Sequence, residues 1–168
     1  MRGNPLLTMP LRPYRFILFA GIATLALLAA GARTAHAQQV NLSNIRGLDF
    51  GRFVAGSGGA VIVTPAGIRS RTGAVVLLNS PNAGQAAINV SRGSGKKTVV
   101  DISLPANGSI RLSSGANSMA VGSFVSSPAF TMSVAAPGTL SIGATLTVAP
   151  NQPPGIYSGT FPVTVNYP

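Results

Sequence analysis

Short runs in which every second residue is bulky and apolar recur along this chain, separated by glycine- and proline-rich breakers. Strict alternation sets one face of an extended strand on a core and the other in solvent, whereas an amphipathic helix repeats about every 3.6 residues. "AAINV" places Ala86, Ile88 and Val90 on one face, "TVVDISLP" Val100, Ile102 and Leu104, and "FTMSV" Phe130, Met132 and Val134. The longest run, "GTLSIGATLTVAP", offers Leu140, Ile142, Ala144, Leu146 and Val148, with Thr145 and Thr147 facing out. Two continuous apolar pieces, "AVIV" at 60–63 and "AVVLL" at 74–78, predict strands buried on both faces. Breakers such as "GSGG" at 56–59, "SPNAG" at 80–84, "RGSGKK" at 92–97 and "PNQPPG" at 150–155 divide them. Several short strands with turn signals between them predict a single antiparallel all-β sandwich. A lipid-facing barrel needs longer strands and aromatic girdles. This chain has no Trp and three Tyr, one of them near its start.

The first segment reads as separate from the fold. Arg2, Arg12 and Arg15 precede the apolar run "FILFAGIATLALLAA", which leads into "GARTAHA". That order, with small residues at Ala35 and Ala37, predicts a signal peptide over 1–37, cleaved between Ala37 and Gln38. The run is shorter than the roughly 20 residues of a membrane-spanning helix, so no integral span is expected in the mature chain. No cysteine follows it to take a lipid. The expected location is exported: periplasm, cell surface or outside the cell. The expected parts are a short arm at 38–47, serving as a first strand or as a donor, and a sandwich domain at 48–168.

Cleavage would leave 131 residues carrying eight basic and two acidic side chains, a net charge of +6. The basic residues are scattered, with no stripe or helical cluster of the kind that grips nucleic acid, so no nucleic-acid partner is expected. The mature part has no His, Cys or Glu, and its acids are Asp49 and Asp101. Neither a Ser-His-Asp triad nor a Cys-His pair can be built from this set, and zinc sites of His, Cys and carboxylate fail on ligand count. A carboxylate pair of Asp49 and Asp101, or a Ser-Lys dyad through Lys96 or Lys97, is the residual catalytic option. The reading is a non-enzyme with no cofactor, no metal and no disulfide. Three Asn-x-Ser triplets, at Asn41, Asn89 and Asn107, matter only in a host that glycosylates exported proteins.

The chain closes on "GIYSGTFPVTVNYP", where Tyr157, Phe161, Val163, Val165 and Tyr167 alternate with Ser, Thr, Pro and Asn, interrupted only at Gly159. No charge occurs from Gly155 onward. An edge strand usually carries charge or proline to repel other strands, and here Pro162 stands alone. Either earlier strands pair this one on both sides, or its edge awaits a strand from another chain.

"LDFGRFVAGSGGAVIVTPAGIRSRTGAVVLL" together with "LTVAPNQPPGIYSGTFPVTVNY" resembles the bacterial exported family described as domain of unknown function 4402. The Leu48-Asp49-Phe50-Gly51 box and the Gly155-x-Tyr157-Ser158-Gly159 stretch carry the likeness. The tail is also similar to those of spore coat protein U and the archaic chaperone–usher pilins. That resemblance implies an immunoglobulin-like sandwich lacking its last strand, which a periplasmic chaperone and then a like subunit would supply. Gly155, Tyr157, Phe161, Val163, Val165 and Tyr167 are the assembly residues it implies. Two features depart from pilins: cysteine is absent, and in the arm "QQVNLSNIRG" only Val40 and Leu42 alternate before Asn44 and Arg46 break the pattern. The leading expectation is a pilin-like or coat-like structural subunit assembled by strand complementation. The alternative is a self-contained, monomeric exported binding or adhesion module.

Overall fold

A computed structural model of the protein describes residues 40–93 and 98–167. The expected signal peptide, its cleavage positions Ala37 and Gln38, and Lys96 and Lys97 lie outside the described residues. Within them the chain is all β, with no helix.

The organising strand is β11 (Gly138–Val148). Its first half pairs β6 (Ala86–Arg92) and its second half pairs β3 (Gly59–Val63) along one edge. Its other edge pairs β9 (Asn117–Ser127). Beyond these lie β1 (Val40–Arg46) on β6, β4 (Arg69–Gly73) on β3 and β8 (Ile110–Ser114) on β9, completing a seven-stranded antiparallel sheet. A second sheet runs in the order β10 (Thr131–Val134), β7 (Thr98–Ser103), β12 (Thr164–Asn166). A third is the two-residue pair of β2 (Phe53–Val54) and β5 (Val76–Leu77).

The alternation of β11 explains its place. Leu140, Ile142, Ala144, Leu146 and Val148 are all buried on one face. The first two join Ala86, Val90, Val100, Ile102, Met132 and Val134 in a cluster drawn from both larger sheets, the sandwich-like part of the fold. The last three join Val61, Val63, Met119, Val121, Phe50 and Val75 in a second cluster. Each such Val, Leu, Ile, Met or Phe side chain contributes roughly 1.5–3 kcal/mol when fully buried, so the cysteine-free domain is held by these two clusters and its ladders.

Several expectations are corrected. The piece at 60–63 is buried on one face only: Val61 and Val63 are enclosed while Ala60 and Ile62 are half-buried. In "AVVLL" only Val75 is enclosed, and Val76 is 51% exposed. That piece pairs a two-residue partner instead of entering a large sheet, so no layer covers its other side. In "FTMSV", Met132 and Val134 are buried but Phe130 is 80% exposed. Its backbone turns to a positive φ of 55° before the strand begins, which throws the ring outward. The arm forms strand β1 on β6, with every residue after Val40 exposed.

The sheet border at β4 is guarded. Arg69 and Arg71 pair Val63 and Val61 in register, so they share the face of those inward residues. Arg69 is half-buried on that face and Arg71 exposed, and charge on a border strand repels an added neighbour. Arg69 also ties the border down, donating through Nη2 to the carbonyls of Arg52 at 3.1 Å and Leu78 at 2.9 Å.

Candidate functional site

The terminal segment changes sheets as it runs. Tyr157 packs on the second cluster, its hydroxyl donating to the Pro153 carbonyl at 2.8 Å and accepting from Gln152 Nε2 at 2.9 Å. Just before it, a Cβ on Gly155 would sit 2.6 Å from Ser114 Oγ, so glycine lets the segment approach β8 without turning that hydroxyl aside. Ser158 then pairs Ser113 of β8 through both backbone hydrogen bonds, at 2.8 and 3.1 Å. Gly159 takes the next inward place, where a Cβ would lie 2.5 Å from the Arg111 carbonyl. The gap in the apolar alternation is therefore where the chain crosses β8 at close quarters.

After the crossing, Phe161, Val163 and Val165 pack against the first cluster. The Phe161 ring meets Phe124 of β9 with centroids 5.1 Å apart, tilted by 40°. Strand β12 pairs β7 with Thr164 opposite Ser103 and Val165 opposite Ile102. Carried two steps back, that register sets Pro162 opposite Pro105. Neither has an N–H to donate, which accounts for the ladder stopping at Thr164.

The inward row is only half enclosed. Tyr157, Phe161, Val163 and Val165 are of intermediate burial and Tyr167 is 43% exposed, whereas Leu140 and Ile142 are fully buried. Strand β12 stands at the border of its sheet, with β7 on one side and no strand on the other among the described residues. Its free N–H and C=O groups form an unfilled ladder, and no charge guards it from Gly155 to Asn166. All six residues singled out from the sequence lie along this one segment; Gly155 and Tyr157 serve its anchoring, Phe161, Val163 and Val165 its half-covered face.

A cleft of about 1190 Å³ opens beside the start of the segment. Residues 151–159 form one wall, 48–56 another, and Leu112, Met119 and Leu146 lie among the lining residues of the large sheet. Asp49 is at this rim, accepting a 2.7 Å hydrogen bond from the Gly51 N–H and bridging Gly84. Asp101 instead lies in the second sheet, between Thr131 and Asn166.

Residues 40–167 match the model of a family described as a domain of unknown function, DUF4402. The chain belongs to this family. No curated protein and no solved structure matches it. The DUF4402 match spans both larger sheets and the cleft, so the whole described region is one family unit.

The cleft and Phe124 escaped the sequence reading. The cleft is assembled from separate stretches, and Phe124 follows a bulge in β9 where Ser123 takes a positive φ of 47°. The bulge shifts the inward row from Met119 and Val121 to Phe124 and Ser126, so no single alternation runs through this strand.

Proposed function

We propose that the protein is a non-enzymatic, exported structural subunit, pilin-like or coat-like, completed by a β-strand from another chain. The observation that carries this reading is the terminal strand: bordered on one side, uncharged, and backed by apolar side chains that its own fold leaves half covered. Strand addition uses such an edge, with backbone hydrogen bonds for affinity and alternate side chains for register. A periplasmic chaperone and like subunits are the partners of this reading, and the basic-then-apolar leader is its support for export.

One observation favours the monomeric binding module instead. Strand β1 already lies on β6 of its own chain through five consecutive pairs, Val40 to Asn44. Size-exclusion analysis of the periplasmic extract, with identification of copurifying chains, separates the two. The strand-completion reading expects a complex or polymer that Thr164→Lys disperses. A stable monomer after deletion of residues 38–46, unaltered by Thr164→Lys, overturns it in favour of the self-contained module.

A further inference from the structure

The turn between β7 and β8 holds the only asparagine of the chain that is followed by glycine, Asn107-Gly108. They are the central residues of a β-turn from Ala106 to Ser109, closed by the Ser109 N–H on the Ala106 carbonyl at 3.2 Å. Gly108 takes a positive φ of 74° there. The turn lies against the bulge of β9: a Cβ on Gly122 would sit 3.4 Å from both Asn107 Oδ1 and the Gly108 nitrogen.

The surroundings of the Asn107 amide set its chemistry. Its oxygen accepts a 2.6 Å hydrogen bond from the Ser123 N–H, which draws electrons away from Cγ as such donors do at an acyl centre. Its nitrogen has no partner among the described residues, and neither does the Gly108 N–H that follows it. Other asparagines in turns are placed differently. Ala83, after Asn82, donates to the Ser80 carbonyl at 3.1 Å, and Gln152, after Asn151, donates to the Ala149 carbonyl at 3.2 Å.

We propose that Asn107 is a modification site, deamidated by its own backbone. The Gly108 nitrogen attacks Asn107 Cγ and gives up its proton. The N–Cγ bond forms, the Cγ–Nδ2 bond breaks, and ammonia leaves behind a succinimide ring. Water then opens the ring, and residues 107–109 are exposed to it. Opening at Cγ gives aspartate; opening at the main-chain carbonyl gives isoaspartate, whose backbone runs through an additional carbon.

The two products act differently on the fold. Asn107 receives the Ser123 N–H at the bulge that interrupts the β9–β11 ladder, and the same bulge sets Phe124 inward against Phe161. Aspartate keeps an acceptor at that N–H. Isoaspartate moves it away, releasing the bulge and with it the ring pair that holds the terminal segment. The turn is thus a slow timer acting on that segment.

Protein purified from cells expressing the full chain tests this in mildly alkaline buffer, beside a synthetic peptide of residues 104–111 as the unfolded reference. Peptide mapping by mass spectrometry, with isoaspartate methyltransferase labelling, is expected to find Asn107 converting at least as fast as in the peptide. It should also convert about tenfold faster than Asn82 or Asn151, as a polarised carbonyl beside a free N–H implies. Conversion slower than in the peptide, or no faster than at Asn82, overturns the site. Hydrogen exchange on the separated products then reads the consequence. Residues 157–166 are expected to exchange faster in the isoaspartate form than in fresh protein, and Asn107→Asp to keep the protection of fresh protein. Unchanged protection in the isoaspartate form overturns the timer and leaves the modification site standing.

Discussion

Gly159 shows how one residue can be fixed by a neighbour's backbone. Its inward position would suit an apolar side chain by period alone, but the Arg111 carbonyl occupies that space. Gly159→Ala forces the terminal segment away from β8 and is expected to cost about 1–3 kcal/mol, as overpacking does. Thermal unfolding of the variant checks this, and a melting temperature equal to the parent would remove the steric account. The ring pair of Phe124 and Phe161 is a second case, since it joins β9 to the terminal segment where no backbone hydrogen bond does so. A double-mutant cycle with Leu at both positions should yield a coupling of about 0.5–1.5 kcal/mol. Additive losses would mean that the rings only fill space.

Among the elements, β11 and β12 stand at opposite ends of a scale of enclosure. Leu140→Ala in β11 removes a fully buried side chain and should destabilise by about 2–5 kcal/mol. Val163→Ala, beside β12, should cost less than half of that, because its site already faces partly outward. Denaturant titration of the two variants orders them. The strands that alternate cleanly, β6, β7 and β11, could be read from sequence because the same period governs their burial. Strand β9 could not, since the bulge at Ser123 changes which residues face inward halfway along. "AVVLL" misled for another reason: an apolar run states what would tolerate burial, and Val76 found no layer to bury it. The terminal row was legible in its alternation and its lack of charge, but the pairing that leaves its edge free depends on which strand β7 accepts.

At the level of the whole molecule, cover is distributed unevenly around a strand shared by both clusters. Strand β1 illustrates the loose periphery: its ladder on β6 is regular, yet only Val40 of its seven residues is sheltered from solvent. Native-state hydrogen exchange should find β1 amides opening well before those of β11, whose loss requires both clusters to come apart. Equal protection of the two would show that β1 is held by more than its ladder.

The guarded border at β4 has a consequence for whatever these molecules build. Arg69 and Arg71 close one direction of lateral growth, while the uncharged segment at β12 leaves another open. Under the strand-completion proposal, a particle with a refusing side and a receptive side would have a head and a tail, and its contacts would extend in file instead of spreading into a plaque. Replacing both arginines by Thr should abolish that polarity, turning soluble material into laterally fused aggregates by light scattering.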